Sequence, residues 1–137
     1  MLNESNKKIL IVDDNPDIRS GLHVRLKASQ YETFFAEDAI TAISEARKVT
    51  PDLIILDLGL PAGDGFIVME RLRAITHLSH IPVIVFSARD RAANEMQALR
   101  GGAIAYLQKP FNDSALMAIV GAVLKQQEGE RSWTLKN

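Results

Sequence analysis

Leu53, Ile54, Ile55 and Leu56 form an unbroken apolar run that ends on Asp57. A run this short, rich in branched side chains and closed by turn-forming residues, fits a strand buried on both faces. The loop that follows is punctuated by Gly59, Pro61, Gly63 and Gly65. A carboxylate where a buried strand runs out stands at the edge on which open α/β sheets carry their ligands. The structural alternative for Asp57 is a helix cap. Asp64 lies just before the next helical pattern and can serve there, leaving Asp57 without a local structural task.

The same arrangement appears at the start of the chain, where Lys8 to Val12 is a second buried-strand run followed at once by Asp13, Asp14, Asn15 and Pro16. Proline favours the first helical position and Asn15 is a good N-cap, so a helix is expected from about Pro16 with Ile18, Leu22 and Leu26 as its core stripe. Capping accounts for at most one of Asp13 and Asp14. Two adjacent anions repel each other unless a cation is near.

Further along, Glu32 to Ala36 reads as a strand, and Asp38 precedes a helix with Ile40, Ile43 and Ala46 on one face. After the central strand, Phe66, Met69, Leu72 and Ile75 recur at helical spacing. His77 and His80 flank a polar connection, where solvated side chains are the expectation. Ile81 to Phe86, containing Pro82, is the fourth expected strand, and Ser87 ends it either as a helix cap or as a functional hydroxyl. Asp90 is available to cap the helix carrying Ala93, Met96 and Leu99, which Gly101 and Gly102 close. Ile104 to Leu107 is the fifth strand, with Lys109 and Pro110 after it. Asn112 then caps a helix striped by Leu116, Ile119, Val120 and Val123.

At 137 residues the chain fits one domain with a core large enough to need no metal or disulfide staple. A net charge of -1 supplies no bulk attraction to nucleic acid or anionic lipid, so direct binding to either is not expected. With no cysteine, thiolate metal sites and cysteine nucleophiles are excluded. The polar leader lacks a signal-peptide core and no run reaches spanning length, so a cytoplasmic protein is expected. The expected domain is 7–127, with 128–137 as a polar tail or linker.

Five strands alternating with five helices imply an α/β doubly wound parallel sheet, with right-handed crossovers putting helices on both faces. All strand-end residues then share one edge, so Asp13, Asp14, Asp57, Ser87 and Lys109 converge. Carboxylates in this number suit a hard divalent cation, and Mg²⁺ characteristically pairs one or two of them with waters and a phosphate oxygen. The combination points to phosphoryl chemistry.

In order and spacing, the Asp13-Asp14 pair, Asp57 with Pro61 and Gly65, Ser87-Ala88 and Lys109-Pro110-Phe111 resemble the receiver domain of two-component response regulators, of the chemotaxis-regulator type. The resemblance implies a flavodoxin-like strand order, 2-1-3-4-5. It implies that Asp57 is the phosphoacceptor, that Asp14, Asp57 and the Gly59 backbone carbonyl ligate Mg²⁺, and that Asp13 acts on the ion directly or through water. Ser87 and Lys109 would bind phosphoryl oxygens, Tyr106 would occupy the aromatic switch position, and the Lys109-Pro110 bond would be cis. Gly59 and Arg89 stand where the lifetime of the phosphoryl group would be modulated.

The implied partners are a histidine kinase or phosphotransfer protein and, downstream, a target protein or an output domain beyond the polar tail. No enzymatic activity is expected beyond the domain's own phosphotransfer and dephosphorylation. The alternative is a receiver-like interaction module that works without phosphorylation. A cofactor-binding flavodoxin is disfavoured, because Asp13 and Asp14 would repel a phosphate cradled after the first strand. An aspartyl-phosphate phosphatase would need a second acid near Asp57, where residues 58 to 60 are Leu, Gly and Leu.

Overall fold

A computed structural model describes residues 6–61 and 64–136, with side chains through residue 128. The leader residues 1–5, the loop glycine Gly63 and the terminal Asn137 lie outside the described residues. The chain alternates β1 (Lys8–Val12), α1 (Pro16–Ala28), β2 (Glu32–Ala36), α2 (Ala39–Val49), β3 (Leu53–Asp57), α3 (Gly65–Ala74), β4 (Val83–Ser87), α4 (Arg91–Arg100), β5 (Ala105–Gln108) and α5 (Asp113–Lys136). The strands form one parallel sheet in the order β2-β1-β3-β4-β5, as expected.

The apolar runs are continuous because both faces of the sheet are covered. Leu10, Val12, Ile54, Leu56, Val83 and Val85 face α2, α3 and α4, where Ala42, Ala46, Val68, Met69, Leu72 and Ala98 complete one core. Ile9, Ile11, Leu53, Ile55, Ile84 and Phe86 face α1 and α5, packing on Leu22, Leu26, Leu116, Val120 and Val123. Each fully buried leucine or isoleucine contributes roughly 1.5–3 kcal/mol through area removed from water.

Local chemistry sets the boundaries. The Asn15 side chain accepts from the Asp17 and Ile18 N–H groups, Asp38 forms a capping box with Thr41, and Asp64, Asp90 and Asn112 cap the remaining helices through their side-chain oxygens. At the far end of α4, Gly102 adopts a left-handed φ of 109° that a side chain would strain. Pro82 falls just outside β4, since it has no N–H for the ladder, although its carbonyl accepts from Ile54. The fifth strand is likewise displaced by one residue from Ile104 to Leu107, and Ile104 is exposed at its entrance.

Of the face expected to pack inward in α2, Ala46 is buried and Ile43 packs partly against the core, and Ile40 alone turns outward. In α2 the buried residues are Ala39, Ala42, Ala46 and Val49, while Ile40 is 65% exposed. In α4 only Ala98 is buried, and Ala93, Met96 and Leu99 lie on the exposed surface. Small side chains let these helices sit close to the sheet, and the larger ones are turned outward. The polar segment from residue 128 continues α5 as helix to Lys136, and among the described side chains of α5 the last buried one is Leu124. His77 and His80 are exposed. Among the described residues no helix is long and apolar enough to cross a membrane.

Candidate functional site: an acidic pocket at the carboxyl edge of the sheet

Parallel pairing in register delivers the ends of β1, β3, β4 and β5 to one edge, with Val12 opposite Leu56, Asp57 opposite Phe86 and Ser87 opposite Gln108. The residues one step past or at these ends therefore meet. Asp13, Asp14 and Asp57 each offer a carboxylate oxygen, and the three oxygens lie within 4.8 Å of one another. Asp13 is fully buried and Asp57 nearly so, whereas Asp14 opens to solvent.

The pocket is held by short polar contacts. Asp13 Oδ1 accepts from the Asn15 N–H at 2.8 Å, and the Arg19 guanidinium donates to the Asp13 carbonyl at 2.7 Å. Asp57 Oδ1 accepts from the Gly59 N–H at 3.2 Å. Lys109 reaches both buried acids, with Nζ 3.0 Å from Asp13 Oδ2 and 3.5 Å from Asp57 Oδ2. The ammonium also rests over the Phe86 ring, 4.4 Å from its centroid, where the negative ring face attracts it. Burial raises the Asp13 carboxyl above its usual range, and the Asn15 N–H and Lys109 oppose that rise. Three acids against one ammonium leave an excess of negative charge in a site rich in hard oxygen donors, which suits a divalent cation.

Close packing brings α3 up to the pocket. An added Cβ at Gly65 would lie 2.7 Å from the Asp57 carbonyl oxygen and 2.8 Å from the Leu58 Cα. Gly59 is different, since a Cβ there would meet only the Asp57 carboxylate oxygens, at 4.0 Å.

Ser87 is buried at the end of β4 and leaves the capping of α4 to Asp90, and its Oγ accepts from the Arg89 N–H at 3.0 Å. The Lys109 N–H donates to the Ser87 carbonyl at 2.7 Å, which sets the two residues side by side. Tyr106 is 4% exposed, turned into the core, and its hydroxyl donates to the Arg89 carbonyl at 3.3 Å. The Lys109-Pro110 peptide is cis. The Arg89 guanidinium is neither free in solvent nor on the acids, because it pairs with Asp64 and the Leu58 carbonyl. Arg19 and Phe86 also belong to the pocket; their sequence context carried no sign of it beyond their nearness to a strand end.

These features can be set beside known proteins. The response regulator receiver domain model matches residues 9–121. The chain belongs to that family. Receiver domains are signalling modules of two-component systems, and their acidic site binds Mg²⁺. The KDP operon transcriptional regulatory protein KdpE of Escherichia coli is 42% identical over 118 residues, covering 86% of this chain and 51% of that protein. The DNA-binding dual master transcriptional regulator RpaA of Synechocystis is 37% identical over 121 residues, covering 88% of this chain and 50% of that protein. The chain thus spans about half the length of the curated relatives it matches. Among solved structures, a CheY-like receiver domain protein from Methanospirillum hungatei superposes with a TM-score of 0.85 at 28% identity, covering 92% of this chain and 99% of that one. The receiver domain of a Pseudomonas aeruginosa sensor histidine kinase, with a magnesium ion coordinated in its active-site cleft, gives 0.80 at 27% identity, covering 88% and 98%.

Proposed function

We propose that this domain is a phosphorylation-dependent switch in which Asp57 accepts a phosphoryl group from a histidine kinase or phosphotransfer protein. The observation that carries this reading is the Lys109 ammonium shared between Asp13 and Asp57 at the edge where three carboxylates converge. An Asp57 oxygen forms the new bond to phosphorus as the bond from phosphorus to the donor's histidine nitrogen, or to an acyl oxygen, breaks. Water later attacks phosphorus, releasing inorganic phosphate and restoring the carboxylate.

Mg²⁺ held by Asp14, Asp57 and the Gly59 carbonyl, with Asp13 acting directly or through water, would supply positive charge against the anionic phosphoryl group. Lys109 opposes the same repulsion with a charge fixed in advance. Ser87 donates its hydroxyl to a phosphoryl oxygen, which draws its Oγ from the Arg89 N–H. Because Tyr106 is bonded to the carbonyl of Arg89, that movement reaches the surface formed by α4, β5 and α5. The exposed Met96, Leu99 and Ile104 on that surface suit contact with a downstream protein or output domain in the cytoplasm.

Intact-mass analysis after incubation with a small acyl phosphate tests the assignment. Wild type gains one phosphoryl group only with Mg²⁺, and Asp57→Asn gains none. Equal incorporation in both proteins would remove Asp57 from the chemistry.

A further inference from the structure

Arg89 touches the site through separate atoms of its backbone and side chain. Its N–H donates to Ser87 Oγ at 3.0 Å and its carbonyl accepts from the Tyr106 hydroxyl at 3.3 Å. Its guanidinium crosses to the loop after β3, where one nitrogen lies 3.3 Å from the Leu58 carbonyl and another 3.5 Å from Asp64 Oδ2. Leu58 and Gly59 share one peptide unit, and the N–H of that unit donates to Asp57 Oδ1 at 3.2 Å. A peptide is planar, so fixing the direction of its C=O also fixes the opposed N–H.

We propose that Arg89 is a positioning residue for phosphoryl uptake: its guanidinium latches the loop after β4 to the Leu58–Gly59 peptide, which in turn orients the Asp57 carboxylate. The uptake claim rests on the phosphoacceptor reading above, while the latch is a property of the resting protein.

A planar guanidinium suits this task because its fork of donors serves two acceptors at once, which a lysine ammonium does with far less geometric definition. The oxygens of Asp64 divide the work, Oδ1 capping α3 through the Phe66 N–H at 3.0 Å and Oδ2 facing Arg89. The Leu58 carbonyl also accepts from the Gly65 N–H at 2.8 Å, so Arg89 completes a peptide already anchored on the α3 side. The ion pair is more than a third exposed on both partners, at 38% and 36%, and is therefore a screened contact that opens readily. Such a latch steadies the resting site without locking it. A guanidinium that acted only through charge, by drawing in anionic donors, would need neither the Leu58 carbonyl nor Asp64.

The test uses the full 137-residue chain as Arg89→Gln, Arg89→Lys, Asp64→Asn and the Arg89→Gln, Asp64→Asn double variant. Asparagine keeps the capping oxygen of α3, and all Arg89 variants keep the backbone bonds to Ser87 and Tyr106. Two quantities are read: the exchange rate of the Gly59 amide without Mg²⁺, and the initial rate of phosphoryl uptake from acetyl phosphate at saturating Mg²⁺. Gly59 exchange quickens in every variant. Uptake falls about three- to tenfold in both Arg89 single variants, short of the roughly hundredfold loss that a full ångström of misplacement brings. Asp64→Asn loses less, and the double variant is no slower than Arg89→Gln.

Wild-type uptake in Arg89→Lys together with faster uptake in Asp64→Asn would replace the latch with a charge effect. Unchanged Gly59 exchange in Arg89→Gln would overturn it outright. Exchange that responds as expected in a wild type that takes up no phosphoryl group would instead overturn the phosphoacceptor reading and leave the latch standing.

Discussion

Lys109 and Asp13, ninety-six positions apart in the chain, are joined by a 3.0 Å contact in which the carboxylate is almost wholly buried. The ammonium offsets only part of what burial costs, since the Asp13 carboxyl remains raised above its ordinary value of 3.8. In the folded protein Asp13 therefore holds its proton to higher pH than in the unfolded chain. The stabilisation from that proton is complete below pH 3.8 and is lost as pH rises through the folded value. Without Mg²⁺, Asp13→Asn is expected to be more stable than wild type at neutral pH by roughly 0.5–2 kcal/mol, the usual size of a single stabilising substitution. It should also flatten the decline in stability as pH rises above 3.8. Thermal melts against pH measure both, and the same melts with Mg²⁺ should show a smaller metal-induced rise in Asp13→Asn.

Gly65 makes the second expectation, because no side chain fits between the start of α3 and the end of β3. A methyl group would enter to 2.7 Å from the Asp57 carbonyl oxygen, a backbone atom that cannot swing aside. Gly65→Ala should cost about 1–3 kcal/mol, the range typical of overpacking. It should also slow phosphoryl uptake by pushing on the acceptor strand. Denaturant unfolding read beside the uptake rate checks the pair, and a stable variant with normal uptake would mean that α3 can withdraw freely.

The strand-end residues were legible in the sequence because a strand buried on both faces leaves an unbroken apolar run, and the first polar residues after it mark the edge, whereas the strand order came from the family resemblance. Asp13, Asp57 and Ser87 all carry that signature, while Lys109 follows Gln108 at the end of a strand that is only partly buried. The inward face of α4 was not legible, because Met96 and Leu99 repeat at helical spacing while the one contact that seats the helix is made by Ala98. Size governed the packing there more than hydrophobicity did. Arg89 was singled out from the sequence, but its partners were illegible for a different reason. Its partners, Asp64 and the Leu58 carbonyl, come from another loop, and only the register of β3 against β4 brings the two loops together.

Tyr106 already lies inside the core, so its response to the phosphoryl site should be a change in hydrogen bonding at the Arg89 carbonyl more than a large swing of the ring. Ser87 is the link, since its Oγ accepts from the same residue. The Tyr106 ring resonances should shift when a beryllofluoride phosphate analogue binds to wild type and shift much less in Ser87→Ala. Equal shifts in both proteins would take Ser87 out of the coupling.

The lifetime of the phosphorylated state should be governed by what residue 59 lacks. Gly59 stands two residues after Asp57 with no donor or acceptor of its own beyond the backbone, and positioning a water for in-line attack is a recognised part of phosphoryl hydrolysis. There is room for a side chain. A Cβ at this position meets only the Asp57 carboxylate oxygens, at 4.0 Å, so an asparagine amide would stand beside the acceptor without displacing the loop. Gly59→Asn is therefore expected to speed loss of the phosphoryl group, within the roughly 10²-fold range that positioning effects span. Arg89→Ala should not slow that loss, because the guanidinium is engaged by Asp64 and the Leu58 carbonyl and is not aimed at the Asp57 carboxylate. Decay followed after removal of the phosphodonor decides both, and slower decay in Gly59→Asn would show that water attack is limited elsewhere.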